Sequence, residues 1–449
     1  MKQYRVRTSQ RLSGTARVAS DKSIGHRALI LAALAEGECV LDELTLSGDV
    51  RATQHALMAM GVVIREQDES TRVQGVGLRG LQLPNGHIDC GNSGTTMRLI
   101  AGLLCAQHFG TRLVGDASLS RRPMKRIVDP LRARGAHIMG TVRSESTELF
   151  PPLSVAPLVK GESLLGIEYE MPVASAQVKS ALLLSGLYAN GLTALREPTL
   201  SRDHTERMLA ALGVPIERMA SMVVLDPVEW RGGWDAFRWT MPGDLSAAAF
   251  LIAAAQLVPK SVVEVVNVGV NPTRTGMLDA LRSMRAQVNV VPGDETVADE
   301  PTARIHIEQA TIARGRVGGE LTTRMIDDVP AYAALALSAP GKTEIRDAEE
   351  LRVKESDRIA STILMLRAFG VTCGEFEDGL WLEGTDRLRA ATVDCQGDHR
   401  IAMAAACIGL RADGETIVRN VECVQTSFPG FARVLRSLGA DIVEEEVNV

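Results

Sequence analysis

The sequence predicts an α/β fold of two lobes, each built from three βαβαββ repeats, and three observations carry that prediction. A polar or glycine-bearing turn leading into an apolar, small-residue helix recurs six times along the 449 residues. The distances between recurrences alternate between a shorter and a longer step. A strand-like segment without a helix of its own precedes the first copy, and a Met241-Pro242-Gly243 break separates the third copy from the fourth. Length agrees, since ~150 residues per domain implies two or three domains.

The copies begin at Asp21, Asn92, Ser175, Asp244, Asp327 and Asp398, which are 71, 83, 69, 83 and 71 residues apart. After most of them comes a β-rich run of alternating character, at 38–42, 111–114, 261–266, 342–345 and 415–418. A second amphipathic helix follows each time, expected over 50–61, 122–135, 203–213, 273–286, 356–370 and 428–439, most ending on the glycine that favours a helix C-terminus. Further runs at 62–65, 222–225 and 379–382 complete the unit. These assignments put one lobe at 21–241 and the other at 242–449, completed by segment 1–20. The chain then crosses between lobes twice, and a cleft between lobes so joined can close like a hinge and shed water.

Composition bounds the function. Hydrophobic residues make up 45% and aromatics only 4%, as in a well-packed α/β protein whose helices approach closely through small residues. A net charge of −6 argues against a general nucleic-acid binder and leaves small anions as the expected partners. Seven cysteines without a CxxC pair read as reduced thiols of a cytoplasmic protein. The amino terminus lacks a signal-peptide core, and the longest apolar run, 247–258, is too short to span a membrane. Histidine and cysteine spacing supports no protein-held metal, and no cofactor is expected.

Charge at the helix starts is what a core role leaves unexplained. Lys22 and Arg27 stand at the first start, where cations oppose the helix dipole and a bound phosphate or carboxylate would account for them. Arg122, Arg202, Lys354, Arg358 and Arg400 recur at other starts and loops. The run 352–358 places Lys354 and Arg358 one helical turn apart with Glu355 three before Arg358, although charge pattern alone equally describes a solvated helix start. Asn92 to Arg98 offers a glycine turn whose amides could hold an anion. A GxGxxG match at 75–80 is set aside as a hairpin or loop, because no helix follows it.

Taken together, DKSIGHR, GNSGTTMR, SRRPM, SAQVKS, SRDHTE, NPTRTG, RVKESDR, DHRIAM and TSFPGF, in that order from Ser20 to about Phe431, resemble the 5-enolpyruvylshikimate-3-phosphate synthases of the enolpyruvyl transferase family. The resemblance implies two lobes of three βαβαββ repeats, each around a pseudo-threefold axis, with the active site in the interlobe cleft. It implies transfer of the enolpyruvyl group of phosphoenolpyruvate to the 5-hydroxyl of shikimate 3-phosphate by addition and elimination in a monomeric, cytoplasmic enzyme, with glyphosate a candidate inhibitor for which Gly94 leaves space and whose effect Leu99 leaves open.

Carried over by position, the catalytic residues are Lys22, Asp327, Glu355 and His399. Those for shikimate 3-phosphate are Lys22, Ser23, Arg27, Ser175, Ala176, Gln177, Arg202, Asp327 and Lys354. Phosphoenolpyruvate falls to Lys22, Gly94, Arg122, Gln177, Arg358 and Arg400. Ala176, Arg202 and Thr426 depart from the commoner serine, serine and lysine, and Leu99 from a proline. Two rivals stand beside this reading. The sister transferase acting on UDP-N-acetylglucosamine usually carries a cysteine in the loop that is cysteine-free here at 115–122, and a non-catalytic six-repeat binding protein would use the same charges as caps.

Overall fold

The computed structural model describes residues 1–143, 146–230, 232–293 and 298–447. Contacts divide the chain into a terminal unit, Met1–Asp21 with Pro242–Thr296 and Pro301–Val449, and a central unit, Lys22–Met241 with Val297–Glu300.

Among the described residues, each unit holds three four-stranded sheets of one pattern. An edge strand pairs in parallel with its neighbour, and two antiparallel pairs follow. In the central unit, Ile88–Asp89 runs parallel to Thr111–Val114, which pairs with Leu149–Val155, which pairs with Ile138–Val142. The parallel pair brackets the Gly94–Leu104 helix, since parallel strands need a crossover, and the antiparallel strands follow the Lys125–Ala133 helix. That is the βαβαββ unit expected from the repeat.

The amino terminus departs from the expected single strand. Lys2–Arg7 lies in the middle of one sheet, between Glu415–Arg419 and Ile442–Glu446, while Ser13–Ala16 runs parallel to Val262–Gly269 in another. Two half-repeats of the terminal unit are therefore completed by the first sixteen residues. In the central unit, the parallel edge strand of the first repeat is Arg238–Thr240, beside Glu36–Asp42. Where the chain leaves and re-enters the terminal unit, the two passages are joined: Ser20 bridges Gly243, and the Asp21 N–H donates to the Pro242 carbonyl at 2.7 Å.

The first helix of each repeat is buried along most of its length. All thirteen residues of Leu245–Leu257 are buried, and this helix packs against Val329–Ala336 and His399–Gly409, which also pack on each other. A helix apolar on every face belongs at the centre of such a cluster. In the central unit Gly94–Leu104 packs against both Lys22–Leu34 and Ala176–Gly186. Gly102 sets the closest approach there, because a β-carbon on it would stand 2.4 Å from the Ala181 carbonyl oxygen.

The GxGxxG segment is the end of the Ser70–Val76 strand followed by a turn, with no helix after it. Its glycines serve packing, since a β-carbon at Gly75 would fall 2.3 Å from the Ala35 carbonyl.

Gly102→Ala is expected to cost about 1–3 kcal/mol, because backbone rather than a movable side chain is in the way. A drop in the urea midpoint at unchanged m-value would show it; an unchanged midpoint would mean that the two helices separate freely.

Candidate active site

In the central unit, Lys22 is the first residue of the Lys22–Leu34 helix, and its Nζ donates to Asp49 Oδ2 at 2.9 Å. Its side chain stays partly exposed while Asp49 is buried. Arg27 lies one turn further into the helix, with Nε on Thr205 Oγ1 at 2.7 Å, Nη2 on Ser180 Oγ at 2.6 Å and Nη1 on the Ser23 carbonyl at 2.8 Å. Arg202 Nη1 donates to Ser23 Oγ at 3.4 Å, so Ser23, Arg27 and Arg202 form one group. Ser175 caps the Ala176–Gly186 helix by position and makes no side-chain cap bond. Its hydroxyl is thus not committed to the helix end.

Gln177, on the first turn of that helix, donates through Nε2 to Thr95 Oγ1 at 2.9 Å and accepts through Oε1 from Arg98 Nη1 at 2.5 Å. Arg122 Nη2 donates to Asn92 Oδ1 at 2.7 Å. Gly94 lies under both guanidinium groups: a β-carbon on it would meet Arg98 Nη1 at 2.8 Å and Arg122 Nη1 at 3.3 Å. The glycine turn, two arginines and Gln177 therefore belong to one locality. Beside it, the His26 Nδ1, Thr53 Oγ1 and Thr96 Oγ1 atoms follow one another at 2.7 Å each. Burial first, then Lys22 and Arg27, pushes the His26 imidazole well below its ordinary range and keeps it neutral.

In the terminal unit, Arg358 is the hub. Only 1% exposed, its guanidinium donates Nε to Asp398 Oδ2 at 2.8 Å, Nη2 to Glu355 Oε2 at 2.6 Å and Nη1 to Asp327 Oδ1 at 3.2 Å. Lys354 Nζ stands 3.7 Å from the same Asp327 oxygen and 3.1 Å from Glu350 Oε1. Arg400 Nη1 donates to the Asp327 carbonyl at 2.6 Å and lies 3.6 Å from Asp328 Oδ1. Asp398 also caps the His399–Gly409 helix, accepting from the Arg400 N–H at 2.9 Å. His399 is buried on the first turn of that helix.

Two cations and a carboxylate converge here, but the carboxylate that both cations reach is Asp327 rather than the expected Glu355, and the group does not lie along one helix. The helix begins at Arg358, capped by Asp357 Oδ1, which accepts from Ile359 and Ala360 N–H at 3.1 Å each. Lys354 ends a 3-10 turn over Glu349–Val353 instead. The Asp357 carboxylate competes for the helix start two residues later than the charge pattern suggests. Asp327, reached by both cations, supplies the convergence.

Several participants escaped the sequence reading. Arg98 sits in a helix of otherwise apolar burial, Asp49 opens the second helix, and Lys179 lies 1% exposed between Glu197 Oε2 at 2.6 Å and Glu206 Oε1 at 2.7 Å. Glu197 in turn accepts from the Ser201 hydroxyl and holds the loop that carries Arg202. Arg274 bonds Asp21 Oδ2 at 2.8 Å, Asp244 Oδ1 at 2.9 Å and Ser246 Oγ at 2.8 Å. Charged residues inside apolar periodicity were the available signal.

A model of the family described as EPSP synthase (3-phosphoshikimate 1-carboxyvinyltransferase) matches residues 6–435. The chain belongs to the EPSP synthase family. Curated relatives of the name 3-phosphoshikimate 1-carboxyvinyltransferase include one from Pelotomaculum thermopropionicum, 46% identical over 97% of this chain and 99% of its own. Another, from Geobacter metallireducens, is 44% identical over 98% of this chain and 100% of its own. The solved EPSP synthase of Acinetobacter baumannii shares 37% identity at a TM-score of 0.87, covering 99% of this chain and 100% of that one. The enolpyruvyl transferase NikO of Streptomyces tendae, 17% identical at a TM-score of 0.79 with 100% and 99% covered, shows the two-lobed fold alone. The EPSP synthase family transfers the enolpyruvyl group of phosphoenolpyruvate to shikimate 3-phosphate in aromatic biosynthesis and is in general inhibited by glyphosate. Among the described residues no helix is long and apolar enough to cross a membrane.

The Arg358 network yields a pH signature. Burial pushes the Asp398 carboxyl up, but Arg358, helped by His399, outweighs burial and the repulsion of Glu355 and holds it below the usual carboxylate range. Such a group stabilises the fold above its unfolded pKa, and the stabilisation is lost as pH falls through the folded value. In Arg358→Met only burial and Glu355 dominate, so the folded pKa rises above the unfolded one and the sign reverses. Urea denaturation should find the variant weaker by about 3–5 kcal/mol at about pH 8 and visibly less weak at about pH 5. Equal losses at both pH values would contradict the account.

Proposed function

We infer that this chain is an enolpyruvyl transferase, moving the enolpyruvyl group of phosphoenolpyruvate to the 5-hydroxyl of shikimate 3-phosphate with release of phosphate. Membership of the EPSP synthase family supports the reaction, and one structural observation supports its chemistry: Asp327, Glu355, Lys354 and Arg358 form a single contact group in which acid, base and cations are neighbours.

Lys22 stabilises negative charge at the reacting hydroxyl and shares its ammonium between Asp49 and the substrates. Ser23, Arg27, Ser175, Ala176, Gln177 and Arg202 hold shikimate 3-phosphate, with Asp327 and Lys354. Arg202 takes the place where other members have serine and offers the 3-phosphate a guanidinium. Gly94, Arg122, Gln177, Arg358 and Arg400, with Lys22, hold the carboxylate and phosphate of phosphoenolpyruvate. The glycine lets the anion approach the amides of the Gly94–Leu104 helix start.

The chemistry follows from these positions. Asp327 takes the proton of the 5-hydroxyl, which attacks C2 of phosphoenolpyruvate while Glu355 delivers a proton to C3. The tetrahedral adduct then loses phosphate as the C3 proton returns to a base and the double bond re-forms. Arg358 serves both carboxylates: its Nη1 on Asp327 and Nη2 on Glu355 hold base and acid at fixed places until substrate arrives. His399 supports this group from the adjacent helix start. The enzyme acts in this proposal as a cytoplasmic monomer.

Phosphate release from phosphoenolpyruvate with shikimate 3-phosphate, and with UDP-N-acetylglucosamine in its place, tests the assignment. Release is expected with the first acceptor only; release with the second alone, or with neither, refutes it. Glu355→Ala should lower kcat by ~10²–10⁴-fold, the range for a general acid or base, where a non-catalytic binding protein would be indifferent.

Gly94→Ala should raise the KM for phosphoenolpyruvate and leave that for shikimate 3-phosphate in place, because the added methyl displaces the Arg98 and Arg122 side chains rather than backbone. Equal changes in both KM values would move Gly94 out of the phosphoenolpyruvate subsite.

A further inference from the structure

Two thiols the reaction does not use touch each other beside the Asp398 turn. Cys395 Sγ and Cys423 Sγ lie 3.6 Å apart, twenty-eight residues apart in sequence. Cys395 is buried, and Cys423 is the single cysteine of the seven that is not. Both segments are fastened side by side. Cys395 donates from Sγ to the Arg419 and Asn420 carbonyls at 3.1 Å each, Cys423 Sγ donates to the Asn420 carbonyl at 3.3 Å, and Asp394 Oδ1 accepts from Gln396 N–H at 2.8 Å and Asn420 Nδ2 at 2.9 Å. The sulfurs therefore cannot drift apart, and each is at high effective concentration for the other.

We propose that Cys395 and Cys423 are a disulfide-forming pair, oxidised by peroxides, whose closure weakens binding of phosphoenolpyruvate. The partly exposed Cys423 thiol takes an oxygen from hydrogen peroxide, giving a sulfenic acid and one water. The Cys395 sulfur then attacks that sulfur, forming the S–S bond as its proton and the hydroxyl leave as a second water. Two thiols are oxidised and one peroxide is reduced to two waters. The contact with Cys395, then burial, pushes the Cys423 thiol well up from its ordinary range. Oxidation is slow for that reason. The bond once made persists until reductant is supplied.

The link to function is geometric and rests on the reading of Arg358 and Arg400 as ligands of phosphoenolpyruvate. Closing 3.6 Å to the ~2.05 Å of a disulfide draws the 395–398 turn toward Cys423. The Asp398 N–H donates to the Cys395 carbonyl at 2.9 Å, and the Asp398 carboxylate holds Arg358 Nε and Ser356 Oγ while capping the helix that begins His399-Arg400. A shift of this turn reaches both arginines.

The test treats the purified protein with hydrogen peroxide, quenches free thiols with an alkylating agent and maps peptides without reductant. A peptide pair joining Cys395 to Cys423, lighter by two hydrogen atoms, is expected, with a several-fold rise in the KM for phosphoenolpyruvate at constant KM for shikimate 3-phosphate. Dithiothreitol should reverse both, and Cys423→Ser and Cys423→Ala should show neither. A Cys423 carrying only further-oxidised sulfur, a link between two copies, no link, or a link without a change in that KM would each overturn the proposal. Peptide mapping reads the link whether or not the untreated protein turns over substrate, so inactivity of the untreated protein would count against the transferase assignment instead.

Discussion

Close approach of small-residue helices is the constraint on which the structure depends. A helix buried on all sides, as Leu245–Leu257 is, has no face left for polar side chains, and a glycine such as Gly102 lets its neighbour come within reach of the backbone. Chemistry in such a protein is displaced to the helix ends, where four amides per helix lack partners. The six-fold repeat thus dictates where functional groups can be. It leaves open which groups they are.

The two units answer that differently. In the terminal unit the residues before or at the helix starts are acidic, and each has an arginine: Asp21 and Asp244 share Arg274, Asp328 is near Arg400, and Asp398 holds Arg358. In the central unit, Ser93 caps with its hydroxyl and Ser175 only by position, while Lys22 and Arg27 bring cations to the first helix. Either way the cations are paired inside the protein: Lys22 with Asp49, Arg358 with three carboxylates. A polyanionic substrate must compete with these partners, which discriminates against weakly charged ligands. It also prevents isolated buried charge, which would cost several kcal/mol per ion.

Legibility in the sequence followed the range of the interactions. Helix starts, glycine ends and most strands are local, and the strand at 342–345 is observed over Lys342–Ile345. What was not legible depends on distant partners. Tyr4 pairs with Val418 across the sheet, and nothing near Tyr4 says so. The charged run before Arg358 looks helical because its spacing suits a helix, and only the Asp357 cap shows where the helix begins. Lys179 and Arg98 hid for the opposite reason: helical periodicity marks them as interior, while their carboxylate and amide partners are eighteen and seventy-nine residues away.

Arg274 shows why such hidden residues matter. Its guanidinium is buried, which alone would lower its pKa, yet Asp21, Asp244, Asp328 and Asp327 outweigh burial and push it up. It stays a cation, and through Ser246, whose hydroxyl bonds Asp328 Oδ1 at 2.5 Å, its reach extends to the turn that presents Asp327. One arginine thereby ties the joined passages at Asp21 and Asp244 to the acidic turn of the fifth repeat, all within the terminal unit. A neutral side chain of similar volume would leave three buried carboxylates short of a counter-charge, and they would take up protons or draw in water. The arginine is therefore part of what holds the Asp327 turn at a fixed place, although it touches none of the atoms that react.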